Sequence, residues 1–461
     1  MARDWHEMSA LALGAGIDAG RIDPVALTEH FLERIAAADG EHAIYLRTTP
    51  ERALAEARAA RGRAKAGLRR GPLDGVPISW KDLFDSAGVA TTAATPLLAD
   101  RVPDADAEVL ARATRAGLVC LGKTNLTEFA FSGLAINPHY GTPANPFDAR
   151  TPRVPGGSSS GAAVSVARGL AAAGIGSDTG GSVRIPAAWN GLVGLKTTAG
   201  LLPLDGVVPL APSLDTVGPL TRDVADANAV FAVLAARRPA DLAGASLAHM
   251  RLVVADTVMW DGLEPGVEAA AKRAVEHLAG AGAEVVHEEA PELAEAQALI
   301  ARYGPLVSAE GYASWGDVIE AHPDKLYGNV LKRFRQGAEV GAVDIERLRR
   351  GLAAAAEKLH ARLAGAAAMV APTCLISPPP IADLVADDDA YFAANMGALR
   401  NTTLGNLLRL CAITLPCGDD GQGLPVGLML MARPCREGAL LRVACACEAA
   451  LADIPKPAPA L

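Results

Sequence analysis

PGGSSSGAAVSVA at residues 155–167, followed by GIGSDTGGSVRIPAAWNGLVGLKTTAG at 174–200, decides how this chain is read. Glycine and serine are rarely so dense inside a folded core. Where they are, the backbone has to approach something closely and hydroxyls have to be presented without bulk around them. The first block opens a helix of small residues, AAVSVARGLAAA at 162–173. In the second, GIGSDTGGS behaves as a strand running into a loop.

Outward from this block, strands and helices alternate. Residues 24–37 and 50–67 carry apolar residues at three- and four-residue spacing and predict amphipathic helices. DGVPISW at 74–80 reads as the start of a strand, AEVLARATRAG at 107–117 as a glycine-ended helix, and LVCLG as the strand after it. A Pro/Gly/Asp loop region fills 200–222. Strands follow at 251–256 and 283–288 with a helix at 266–280 between them, and long helical patterns occupy 290–365. MVAPT, AITLPCG and VGLMLMA are three more strands before a helix at 437–451. The pattern predicts an α/β protein with a large mixed β-sheet flanked by helices on both faces. One domain over 1–461 is expected, with its core at about 70–225 and a variable helical region at about 290–400.

Composition narrows the function classes. Of 461 residues, 50% are hydrophobic and 21% charged, which suits a globular enzyme. Aromatics at 4% and a net charge of −9 argue against a nucleic-acid or anionic-membrane surface. The N-terminus has charges within six residues and no continuous apolar stretch, so no signal peptide is expected, and no transmembrane run is found. The seven cysteines lack disulfide-framework spacing. Cys445 and Cys447 read as parts of a buried helix rather than as zinc ligands, and a cytoplasmic setting is expected.

Three short patterns compete for the chemistry. GLVCLGKT at 117–124 matches a phosphate-binding loop, but Leu118, Val119, Cys120 and Leu121 form an apolar strand that cannot curl around a phosphate. GSSSG at 157–161 matches a nucleophile elbow with Ser159 at the turn. That scheme needs a downstream acid and histidine, and none of nine histidines has a catalytic context; His360 reads as a surface residue on a helix. GIGSDTG resembles a dinucleotide loop without the acidic residue or βαβ unit expected after it.

A different reading uses all the glycines. A serine hydroxyl is a poor nucleophile at neutral pH and needs a base beside it. Lysine serves only when neutral, so its pKa must fall by about 3 units, a difference of about 4 kcal/mol supplied by burial and neighbouring dipoles. Lys81 follows Pro77, Ile78, Ser79 and Trp80 with period-2 placement, at the end of a candidate buried strand. The alternative for any single lysine is a solvated surface position.

At this point the chain resembles the amidase signature family. Besides the central block, LDGVPISWKDLFDSAGVATTAAT (73–95), LGKTNLTEFAFSG (121–133), GTPANPFD (141–148), SLDTVGPLTRDVAD (213–226), VAPT (370–373) and GLPVGLMLMA (423–432) carry the likeness over roughly residues 5–450. The resemblance implies a Ser–Ser–Lys triad: Ser182 as nucleophile, Ser158 as the bridging residue after a cis peptide from Gly157, and Lys81 as base. Thr179, Gly180, Gly181 and the N–H of Ser182 would form the oxyanion hole. Asp178 and Arg184 would shape the loop or simply pair, and Ser159 would hydrogen-bond within the same shell or stabilise the turn.

The activity implied is hydrolysis of a linear carboxylic amide through a serine acyl-enzyme, with no metal or cofactor. The partner expected is a small-molecule amide; a homodimer stays open. The other reading within the family is the glutamine-hydrolysing component of a tRNA-dependent amidotransferase. Those components carry an arginine-containing segment after Ser-Ala-Glu, whereas Ser308, Ala309 and Glu310 lead here to GYASWGD. A catalytically dead scaffold is the third reading. Trp315, Tyr327, Phe334 and Tyr391 are candidates for an acyl pocket, with plain packing as the alternative.

Overall fold

The apolar and small-residue runs become one eleven-stranded sheet in the computed structural model, which describes residues 4–39 and 43–459. Its strands are β1 (Tyr45–Thr48), β2 (Pro77–Lys81), β3 (Val119–Thr124), β4 (Ala173–Asp178), β5 (Val193–Lys196), β6 (Thr216–Thr221), β7 (Arg251–Ala255), β8 (Glu284–Glu288), β9 (Ala368–Pro372), β10 (Cys411–Asp419) and β11 (Pro425–Ala432). They lie in the order β1-β3-β2-β4-β6-β5-β10-β11-β9-β7-β8. β3, β2 and β4 run parallel near one end, and β9, β7 and β8 run parallel at the other. The middle of the sheet is antiparallel. The sheet is mixed, as expected.

Period-2 alternation sorts the strand residues between two apolar layers. Ile78, Trp80, Ile175, Val217, Ile413, Leu428 and Leu430 belong to one cluster. Val253, Met369, Ala412, Met429 and Met431 belong to a second, beneath helices Pro291–Tyr303 and Ala342–Arg362. With Ile78 and Trp80 committed to the first layer, Ser79 and Lys81 turn toward helix Ser160–Ala167. There Ser79 Oγ lies 2.9 Å from Ser165 Oγ.

That helix is shorter than the 162–173 expected. It ends at Ala167, and Gly169 at φ +65° turns the chain toward β4, a conformation that glycine adopts without strain. Its small residues serve close approach. A Cβ on Gly161 would overlap the Ile44 carbonyl oxygen and stand 2.7 Å from the Asn125 nitrogen.

The loop expected over 200–222 is corrected at its end, where β6 forms between β4 and β5. A proline argues against an interior strand because it removes a ladder donor. Here β5 pairs only with Leu220 and Thr221, so Pro219 is in register with Ile175 of β4 alone.

Candidate active site

Lys81 stands at the C-terminal end of β2 and is fully buried. Its Nζ donates to Ser158 Oγ at 2.7 Å and to Ser177 Oγ at 2.8 Å. Burial disfavours the ammonium and lowers the pKa to about 7, although Asp178 and Asp215 act in the opposite direction. A group near pH 7 is half deprotonated at neutrality, and neutral Nζ can accept a proton from the hydroxyl to which the ammonium donates.

Ser158 follows a cis peptide from Gly157 and is itself buried. Its carbonyl accepts from the Thr127 N–H at 3.1 Å, which ties the segment to the chain after β3. The next residue, Ser159, donates its hydroxyl to the Ser177 carbonyl at 3.2 Å, and its N–H donates to the Ser182 carbonyl at 3.2 Å. Ser159 thus braces the strand carrying Ser177 and the loop carrying Ser182.

Ser182 lies in the loop between β4 and helix Arg184–Trp189. It lines a cavity of about 400 Å³ together with Thr179 and Gly180. The structure therefore brings Lys81 and Ser158 into direct contact and ties Ser182 to them through Ser159. The second hydroxyl partner of Lys81, Ser177, was not singled out in the sequence, although it sits within the quoted SDTGGSVR.

The loop from Thr179 to Ser182 is held from outside. The Gly180 carbonyl accepts from Thr402 Oγ1 at 2.6 Å and Thr403 Oγ1 at 3.0 Å. Because a trans peptide is planar, fixing that carbonyl also fixes the direction of the Gly181 N–H, which points the opposite way along the same peptide. Thr179 Oγ1 donates to Asp215 at 2.5 Å, and Asp215 also accepts from the N–H groups of Leu210 and Ala211. Gly181 has φ +142°, and a Cβ there would overlap Thr402 Oγ1 and reach 2.7 Å from Ile185 Cδ1.

Asp178 and Arg184 form the ion pair considered from sequence. Arg184 donates through Nε at 3.0 Å and Nη2 at 2.9 Å, with both side chains fully buried. Burial alone would raise the Asp178 carboxyl, but the Arg184 charge outweighs it and holds the pKa at about 2. Asp178 also accepts from the Val183 N–H and from Asn406, and Asn406 in turn accepts from Arg184. Thr402, Thr403 and Asn406 all come from helix Asp388–Leu407, where no sequence motif marked them.

Other sequence readings resolve into structure. Lys123, the lysine of the phosphate-loop pattern, is buried on β3 and donates to Asp82 at 2.8 Å and Thr91 at 2.9 Å. Asp82 also accepts from Arg47 and Thr92. Leu118 to Leu121 are buried in and before the strand, as their apolar character predicted. His360 is half-buried rather than free on the surface, with Nε2 2.9 Å from the Leu408 carbonyl. Cys445 and Cys447 lie on helix Glu437–Ala450, and burial pushes the Cys447 thiol up to about 12.

None of the four candidate pocket aromatics lines the cavity. Phe334 packs edge-on against Phe131 and Phe129, Trp315 packs on Phe129, and Tyr391 packs against Tyr327. They form the layer behind the wall. The wall itself comes from Phe131, Leu210, Ile300, Leu306, Leu399 and Leu404 with a few polar groups.

A sequence model described as Amidase matches residues 26–441. The 2-amino-5-chloromuconic acid deaminase of Comamonas testosteroni is 39% identical over 387 residues, or 83% of each chain. The A-type component of the glutamyl-tRNA(Gln) amidotransferase of Chloroflexus aurantiacus is 35% identical over 476 residues, covering 95% of this chain and 96% of that one. A crystal structure of an amidase superposes with a TM-score of 0.86 at 30% identity, covering 96% of this chain and 99% of the other.

Fold and relatives together define an amidase-type hydrolase acting on carbon–nitrogen bonds. The chain belongs to the amidase signature family, to which the A-type components of amidotransferases are related.

Proposed function

We propose that this enzyme hydrolyses a linear carboxylic amide of a small molecule to the acid and ammonia or an amine, with Ser182, Ser158 and Lys81 as the working residues. The observation that carries the reading is the fully buried Lys81 Nζ, 2.7 Å from Ser158 Oγ, with a pKa lowered to about 7 by burial. Ser182 Oγ attacks the amide carbonyl while its proton passes through Ser158 to Lys81. The C–O bond forms as the carbonyl electrons move onto oxygen, where N–H groups of the Thr179–Gly180–Gly181–Ser182 loop receive the charge. Collapse breaks the C–N bond, and the proton returns by the same route to the departing nitrogen. Water then hydrolyses the Ser182 ester with Lys81 again taking a proton. A relative named for deamination supports ammonia as a leaving group.

A fluorophosphonate probe followed by peptide mapping tests the assignment. An adduct on Ser182 is expected, whereas an adduct on Ser159 would favour the elbow scheme and overturn this one. Lys81→Ala and Ser182→Ala should each lower turnover by orders of magnitude with thermal unfolding preserved.

A second reading, the glutamine-hydrolysing component of an amidotransferase, is favoured by the likeness to such proteins over 95% of this chain. Against it stands the absence of the expected arginine after Glu310; that carboxylate is engaged by Ser213 and Arg349. Activity of the isolated chain on simple amides supports the first reading, and activity on glutamine only with added partner chains supports the second.

A further inference from the structure

Two guanidinium groups line the Ser182 cavity, and among the described residues no carboxylate lines it with them. Arg333 projects from helix Gly328–Ala338 and lies over the Phe131 ring, 4.3 Å from its centroid. Its Nη1 is buried without a hydrogen-bond partner. Arg400 comes from helix Asp388–Leu407, one turn before Thr403, so Met396, Leu399, Arg400 and Thr403 present one face to the cavity. Arg400 Nη2 donates to the Asp261 carbonyl, while its Nε is buried and unpartnered.

This arrangement is costly unless something answers it. A guanidinium carries five donors and a permanent charge, and taking either out of water without a partner is strongly unfavourable. The Phe131 face compensates part of the Arg333 charge but accepts none of its in-plane N–H bonds. Apart from the two arginines, the cavity is bounded by apolar side chains and a few neutral polar groups such as Gln297, Ser132 and Ser308. Such a wall offers nothing to a cationic substrate. It strengthens attraction to an anion by excluding water.

We propose that the acyl half of the substrate ends in a carboxylate held by Arg333 and Arg400, so that the preferred substrates are monoamides of short dicarboxylic acids. The inference rests on the hydrolytic reading above, because it places the amide end of the same molecule at Ser182. A planar carboxylate matches the donor fork of arginine better than any neutral acyl terminus, and a cavity of about 400 Å³ suits a short chain. Arg333 and Arg400 thereby set specificity for the acyl end and leave the chemistry to the serines and lysine.

The test compares adipamate with its neutral isostere 6-methylheptanamide, and glutaramate with 5-methylhexanamide. Wild-type enzyme should favour the carboxylate member of each pair in kcat/KM. Arg333→Met and Arg400→Met should each lower that ratio about 10- to 100-fold, mainly through KM, as expected for losing a hydrogen bond to a charged group. Arg333→Lys and Arg400→Lys, which keep the charge, should restore part of the ratio. A wild-type preference for the neutral isosteres, or a ratio unchanged in either methionine variant, would overturn the proposal. Calorimetric titration of Ser182→Ala with adipate separates the two claims. Adipate binding that weakens in the arginine variants supports the subsite even if no amide is hydrolysed, and hydrolysis of neutral amides without adipate binding removes the subsite and leaves the amidase reading standing.

Discussion

The acid limb of the rate profile is the most direct consequence of where Lys81 sits. Burial brings its pKa from 10.5 to about 7. That displacement of about three and a half pH units corresponds to ~5 kcal/mol between the two protonation states. At pH 7 about half of the enzyme then holds a neutral amine, against about three molecules in ten thousand for an ordinary lysine. On the proposed mechanism the base works only when neutral, so kcat/KM must fall as pH drops through the pKa of the free enzyme, with a tenfold loss per unit. The assay is ammonia release from a simple amide between pH 5 and 10, with folding checked at each end. Asp215→Asn supplies the second arm. Asp215 favours the ammonium of Lys81, so removing its charge must lower the lysine pKa and move the limb toward lower pH. A profile flat from pH 5 to 8, a limb near pH 10, or an upward move in Asp215→Asn would each refute the assignment of Lys81 as base.

Gly181→Ala should abolish turnover and destabilise the fold by about 2–4 kcal/mol in urea titration, because the new methyl overlaps Thr402 Oγ1 at a backbone angle of φ +142°. Thr402→Val removes one of two hydroxyls on the Gly180 carbonyl; kcat should fall about fivefold with KM little changed. Lys123→Met strips the buried Asp82 of one cation and leaves it with Arg47 and Thr92. Urea titration should show a loss of about 3 kcal/mol, and a change under about 1 kcal/mol would refute a structural role.

Legibility in the sequence followed physical cause. The strand ending at Lys81 and the strand leading into Asp178 were readable because buried β-runs bounded by glycine announce themselves. Lys123 could be set aside as a nucleotide ligand because Leu118 to Leu121 are apolar, and its burial beside Asp82 agrees. Strands β1 and β5 are only four residues long, below the span over which alternation shows. β6 was hidden by Pro219, which the sheet accommodates because its ladder with β5 stops short of it. Thr402, Thr403 and Asn406 act across more than 220 residues of chain. No local pattern records such a contact. The aromatic residues misled because bulk and hydrophobicity are the same signal whether a ring lines a cavity or backs its wall.

Strand order also constrains biosynthesis. β5, made early, sits beside β10, made late, and the loop carrying Ser182 leans on a helix that ends at Leu407. Lys81, Ser158 and Ser182 therefore leave the ribosome long before the pieces that hold them in place. A nascent chain truncated before residue 388 would carry all three side chains without the helix that braces the Ser182 loop, and the edge of β5 would stay open to aggregation until β10, Cys411–Asp419, arrives.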